Sequence, residues 1–384
     1  MRRQRGLVGL MGLAALVGLG VAARPVVAKV TTEQSASILV FAKVIADGTR
    51  DTVIQITNTS NNMRHAHCFY VNAAPSGGPG SPPLWTEIDF DIWLTKQQPT
   101  HWVVSKGRLD NPLDRACRGT FGGNTEVACS PATVGTPGAD CCDAGFDPGR
   151  IPPVAPDFVG ELECVEVDGS GFPVPGNALK GEATIVTKTD GDIVKYNAIG
   201  LKGFDTNNGD GTLCLGGEGS EDGCPEGAEY EGCPRTWLLD HYAHRGETAV
   251  SGIDNDDVYL TVVPCTENFE TQEPTRVTLQ FAVTNEYEQV FSASTTVTCW
   301  ATWKIKDDIN EIFDVDNVGS NVVFTRMRSA AGTPGGVLAV LEEKFHGDAG
   351  SKPTASSMQN PANSPDDVPV RDKKTIPADQ IQGQ

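Results

Sequence analysis

From residue 37 onward the chain runs in short stretches where apolar and polar side chains alternate. That two-residue period belongs to half-buried strands. Glu87–Thr95 (EIDFDIWLT) sets Ile88, Phe90, Ile92 and Leu94 on one face and Asp89, Asp91 and Trp93 on the other. Thr275–Asn285 does the same with Val277, Leu279, Phe281 and Val283. Similar runs are predicted at Ser37–Val44, Val53–Thr57, Cys68–Val71, His101–Ser105, Phe158–Asp168, Lys180–Thr189, Asp192–Gly200 and Thr236–Tyr242. Further runs lie at Asp257–Pro264, Phe291–Trp303, Asn321–Arg328 and Gly336–His346. The last has some helical propensity, but Gly335, Gly336 and Gly347 bracket it, which favours a strand. No long amphipathic helix is predicted, so parallel α/β folds are unfavourable and the class is all-β.

Asp51–Asn72 (DTVIQITNTSNNMRHAHCFYVN) reads as two strands about the turn formers Asn58–Asn62, and Thr275–Trp300 repeats the pattern loosely. The pair suggests a hairpin core used twice, in two antiparallel β-sandwiches. The first would span residues 29–245, with a Cys-rich insertion at 106–154 and a Gly/Cys-rich loop at 206–232. The second would span 256–346, after a polar boundary at Arg245–Asp256. One larger sandwich is the alternative. Residues 347–384 show almost no apolar periodicity and are expected to be a disordered tail.

The first 28 residues change the setting. Arg2, Arg3 and Arg5 precede a Gly/Ala/Leu/Val run, and Val26-Val27-Ala28 offers a small-residue cleavage site. This is the form of a secretory signal peptide; the apolar run is short for a membrane span of about 20 residues. No later stretch is long and apolar enough to be a transmembrane segment. Eleven cysteines (68, 117, 129, 141, 142, 164, 214, 224, 233, 265 and 299) then read as disulfides with one left over, in a secreted, periplasmic or cell-surface protein.

Charge excludes some partners. Lysine and arginine total 30 against 50 acids, a formal charge of −20, and a cleaved leader with four arginines and no acids takes it to −24. Such a surface repels nucleic acid and anionic membranes. A protein or glycan surface is the kind of partner left, and extracellular Ca²⁺ the kind of ion.

Candidate chemistry is sparse. His65 and His67 stand at i and i+2, so a strand presents both on one face, where Zn²⁺ or Cu²⁺ could bind with His101 as third ligand. A surface histidine pair is the plainer account. Cys68 faces the other way and reads as a disulfide half. Asp205, Asn207 and Asp210 in DTNNGDG suggest a shifted calcium loop, but the carboxylate that the motif needs at Gly209 is missing, and plain turns explain the same residues. Asp240-His241 with His244 invites acid–base chemistry, yet no nucleophile motif accompanies it. Asp89 and Asp91 read as the wet side of a strand. Trp85, Trp93, Trp102, Trp300 and Trp303 are either core or an aromatic binding platform. No catalytic constellation is recognisable, so the chain is expected not to be an enzyme.

The run from Thr52 to Asn58 into TNTSNN resembles Ig-like sandwich repeats of bacterial surface proteins. More broadly, ITNTS…HCFYVN, DFDIWLTKQQPTHW, GELECVEVD, KGEATI, KYNAIG, VPCTENF and FSASTTVTC are similar to a family of uncharacterised secreted bacterial proteins. That resemblance implies an Ig-like fold and export, and it transfers no site residue. The expectation is an exported structural, adhesive or binding protein. A metal-dependent or carbohydrate-active secreted enzyme is the alternative.

Overall fold

The computed structural model describes residues 30–77, 81, 83–108, 151–189, 191–216, 224, 228–248, 252–330, 335–347, 355–364 and 371–377. The expected signal peptide and most of the Cys-rich insertion, with Cys117, Cys129, Cys141 and Cys142, lie outside these residues.

The chain is almost wholly antiparallel β-structure. Nine strands come first: β1 (Ile38–Ala46), β2 (Arg50–Asn58), β3 (Arg64–Asn72), β4 (Thr86–Leu94), β5 (Pro99–Val103), β6 (Phe158–Val167), β7 (Leu179–Thr187), β8 (Ile193–Asn197) and β9 (Ile199–Leu201). Their pairing falls into two runs, β4-β3-β6-β1-β9 and β5-β2-β7-β8, joined at the single β1–β2 contact Ala46↔Asp51. The runs face each other. The Trp102 indole N–H donates to the Tyr70 hydroxyl at 2.5 Å, and the Tyr196 hydroxyl donates to the Lys43 carbonyl at 2.7 Å. Gly181 allows the close approach, because a Cβ there would sit 2.5 Å from the Phe41 ring.

β2 and β3 therefore do not form the expected hairpin. The segment between them crosses from one run to the other. The Asn58 amide holds that corner, donating to the carbonyls of Asn62, Leu94 and Thr95. Five polar turn formers suit a crossover as well as a hairpin. The outcome is decided by β3's partners, β4 and β6, far along the chain. Cys68 on β3 lies opposite Cys164 on β6, and the two form a disulfide.

Twelve more strands follow: β10 (Thr212–Leu215), β11 (Thr236–Tyr242), β12 (Ile253–Pro264), β13 (Glu267–Asn268), β14 (Arg276–Asn285), β15 (Val290–Thr298), β16 (Ala301–Lys304), β17 (Val322–Ser329), β18 (Val337–Gly347), β19 (Ala355–Gln359), β20 (Ala362–Asn363) and β21 (Asp372–Thr375). The sheets β15-β14-β17-β11-β20 and β16-β12-β18-β19 face each other. The Trp237 indole donates to the Val337 carbonyl at 2.7 Å between them, and Phe313 packs edge-on against Phe281. Here the expected hairpin exists: β14 and β15 pair from Arg276↔Thr298 to Thr284↔Val290. The expected boundary at Arg245–Asp256 separates β11 from β12, which sit in these two facing sheets. The predicted final strand is β18.

Of the segment 347–384, expected to be a disordered tail, residues 347, 355–364 and 371–377 are described. Its described residues supply β19, β20 and β21. β21 pairs antiparallel with β10 and parallel with β13, making a small three-stranded sheet, the fourth sheet among the described residues. Side chains join the strand groups. Lys43 pairs with Glu342 at 2.5 Å, Arg50 with the same carboxylate at 2.7 Å, and the Trp300 indole donates to the Ala42 carbonyl at 2.8 Å. β1 is buried along its whole length, which is why it reads as one apolar run without alternation. Cys233–Cys265 and Cys214–Cys224 are the other disulfides among the described residues, and Cys299 is a buried free thiol.

Candidate functional site

The histidine pair is held by β3 and β4. The register sets His65 against Trp93 and His67 against Asp91. Asp91 Oδ1 lies 2.6 Å from His65 Nε2 and 3.0 Å from His67 Nδ1, and His65 Nδ1 lies 2.8 Å from the Asp168 carbonyl. The His65 ring stacks on Trp93 with centroids 3.7 Å apart. Burial would push the Asp91 carboxyl upward, but the two histidine hydrogen bonds outweigh it and hold it well below the usual range. Both His65 nitrogens are occupied within the fold, Nε2 by the Asp91 carboxylate and Nδ1 by the Asp168 carbonyl, so neither is free to ligate a metal in this arrangement. His101 stands exposed on β5, opposite Gln55, in the other run. The structure thus replaces the expected His65/His67/His101 trio with a histidine–aspartate cluster. Among the described residues no three His, Cys, Asp or Glu side chains are arranged to hold a metal.

Asp205, Asn207 and Asp210 do not converge either. Asn207 Oδ1 accepts from the Gly209 N–H at 2.8 Å, while its amide donates to the Tyr230 hydroxyl at 2.6 Å. Asp210 accepts from the Thr212 N–H at 2.7 Å and the Asn208 amide at 2.8 Å. Alternating oxygen side chains here serve successive Asx turns. Asp254–Asp257 forms a bulged stretch of β12.

His241 and Asp240 lie on opposite faces of β11. His241 points inward, its Nε2 2.9 Å from the Thr325 hydroxyl and Nδ1 2.8 Å from the Tyr242 carbonyl, and burial pushes it down to about 4. It stays neutral at physiological pH and is fully engaged. His244 sits 3.8 Å from Asp257 and 3.9 Å from Asp314, beside the Arg245–Asp314 and Lys304–Asp257 ion pairs.

Sequence reasoning missed a buried charge cluster. Lys374 of β21 lies 2.8 Å from Glu163 Oε2 of β6 and pairs also with Glu267 of β13; all three are buried. Burial and the neighbouring Glu267 push Glu161 well above its ordinary value, and burial outweighs the Lys374 charge to put Glu163 at about 7. The lysine ammonium supplies the counter-charge to acids from β6 and β13, so the cluster pins β21 to the rest of the fold. The acids of GELECVEV alternate along a predicted strand, and no local signal in the sequence shows what covers them.

The remaining site is a surface. The outer face of β15-β14-β17-β11 is open to solvent. Its rows run Ser294–Gln280–Arg328, then Ser292–Ala282–Arg326–Leu238, then Val290–Thr284–Phe324–Asp240. A depression of about 640 Å³ lies between Ser292, Ser294, Gln280, Ala282, Arg326 and Arg328, and a second of about 470 Å³ is lined by Tyr242, Thr284, Val322 and Phe324 among others. Trp85, Trp93, Trp102 and Trp300 are buried and Trp303 is half-buried, so the tryptophans belong mainly to the core rather than to a platform.

Among the described residues no helix is long and apolar enough to cross a membrane. No protein-family model matches the chain, and no curated protein matches it. A solved structure of broad bean stain virus aligns over 90% of this chain and 99% of that chain at 10% identity, with a TM-score of 0.14, too low to carry an argument about fold or function.

Proposed function

We propose that the chain is an exported protein of the cell envelope or extracellular space that works by binding, as a structural or adhesive component. The observation that carries this is the open outer face of the β15-β14-β17-β11 sheet, which offers polar, cationic and aromatic side chains together. By contrast, both ring nitrogens of His65 and of His241 are taken up by hydrogen bonds within the fold. The disulfides Cys68–Cys164, Cys214–Cys224 and Cys233–Cys265 are compatible with an oxidising compartment. Cell fractionation with protease shaving of intact cells tests the proposal. Recovery of the leader-free chain at the surface or in the medium supports it. Retention in the cytoplasm with reduced cysteines overturns it.

A further inference from the structure

Arg326 and Arg328 stand two residues apart on β17, both exposed on the outer face. Same-face neighbours on a strand are separated by about 6–7 Å. Arg276 on β14 is exposed on that face too. None of the three forms an ion pair among the described residues, although the chain has 50 acids to supply one. Opposite the two β17 arginines lie Ala282 and Gln280, and beyond them Ser292 and Ser294. These short side chains leave an open depression of about 640 Å³ beside the guanidinium groups. Further along the face lie Phe324 and Tyr242, flanking Val322 and Asp240.

Each feature selects for one chemistry. A guanidinium matches a carboxylate through two parallel hydrogen bonds. Serine, threonine and glutamine side chains exchange hydrogen bonds with sugar hydroxyls. An exposed aromatic ring gives the apolar face of a sugar something to rest on. The body of the protein bears a formal charge of −20, so a densely charged polyanion is repelled before it reaches three local cations. A chain with one carboxylate per sugar and hydroxyls between carries less charge per unit length, and it is repelled less.

We propose that this face binds a carboxylate-bearing polysaccharide, with Arg326 and Arg328 engaging its carboxylates and the Ser292–Ser294–Gln280 patch its hydroxyls. The inference rests on the reading of the chain as a binding protein and supplies the chemistry of its partner.

The test is calorimetric titration of the mature chain with polygalacturonate at low and high salt. Methyl-esterified polygalacturonate (the same backbone with its carboxylates masked) and polyglutamate serve as comparators. Polygalacturonate is expected to bind and to weaken as salt screens the arginines. The R326Q/R328Q variant, with an unchanged melting temperature, is expected to bind about 10-fold more weakly. Esterification should abolish binding. Equal binding by R326Q/R328Q, or equal binding of the esterified polymer, overturns the inference. Equal binding of polyglutamate overturns the choice of a glycan in favour of an acidic protein. A chain recovered outside the cell that binds none of these polymers sinks the inference alone; a chain retained in the cytoplasm sinks the export reading as well.

Discussion

Replacing Lys374 by methionine removes the one cation that, among the described residues, pairs with a buried cluster of carboxylates. Lys374 Nζ lies 2.8 Å from Glu163, pairs with Glu267, and has Glu161 beside it, with all four side chains buried. Deleting one partner of a buried ion pair costs about 3–5 kcal/mol, because the other charge is left without compensation. The cost must depend on pH. Burial and Glu267 already lift Glu163 to about 7 against an ordinary 4.5, even with Lys374 present. Without the lysine the folded state holds protons on these acids more tightly still, while the unfolded chain releases them near its ordinary value. Folded pKa values above unfolded ones give stability that is complete below the unfolded value and is lost as pH rises through the folded one. One carboxylate kept protonated from pH 5 to pH 8 accounts for about 4 kcal/mol. K374M is therefore expected to lose about 1 kcal/mol at pH 5 and about 5 kcal/mol at pH 8. Urea unfolding followed by tryptophan fluorescence at the two pH values measures this. Adding Glu163→Gln and Glu267→Gln should restore stability mainly at pH 8. A loss below about 1 kcal/mol at pH 8, or one equal at both pH values, would refute the reasoning.

The same sign argument extends to the unaltered protein. Glu163, Glu166 and Glu231 are each raised to about 7, chiefly by burial, and Asp372 to about 6, so its melting temperature should be higher near pH 5 than at pH 8. A flat or rising profile over that range would contradict the burial of these acids. Asp91→Asn should cost about 2 kcal/mol at neutral pH by weakening two charge-assisted hydrogen bonds. Since Asp91 is held low in the folded state, that cost should shrink as pH falls below about 4, which acid titration of both proteins would reveal. The Cys68–Cys164 bond closes a separation of 96 residues and Cys214–Cys224 one of 10. Chain entropy then predicts a loss of about 5 kcal/mol for the double alanine variant of the first pair and about 3 kcal/mol for the second; an equal loss would count against that account.

Most strand positions were legible because alternation reports burial on one face. Glu87–Thr95 and Thr275–Asn285 lie where their patterns put them, as β4 and β14. Strand partners were not legible. Nothing near Asn58–Asn62 says that β3 pairs with residues 86–94 and 158–167 rather than with β2. The i, i+2 spacing of His65 and His67 placed both on one face, but Asp91, which turns them into hydrogen-bond donors, arrives only through register. Without it, Asp89 and Asp91 read as a wet edge. β21 was illegible for a related reason. Asp-Lys-Lys-Thr has little strand propensity of its own, and it is ordered because Lys374 meets acids from two other strands.

These buried acids also bear on how the charge of the chain should be understood. The formal value of −20 counts every carboxylate as ionised. Glu161 is pushed well above its ordinary value, Glu163, Glu166 and Glu231 to about 7, and Glu229 and Glu343 upward as well, each chiefly by burial. Near neutral pH several of these groups hold their protons, so the folded protein carries less negative charge than its composition implies. Glu342 is the opposite case: burial would raise it, but Lys43 and Arg50 hold it at about 2, and its charge is cancelled inside the fold. Part of the acidity thus lies in the interior and at the seam between strand groups. Arg326 and Arg328 face outward, and among the described residues no acid pairs with them. An anionic partner approaching that face meets a weaker repulsion than the sequence suggests. That repulsion should grow as the buried acids ionise above pH 7, so polygalacturonate binding is expected to weaken from pH 6 to pH 8 although the arginines keep their charge throughout.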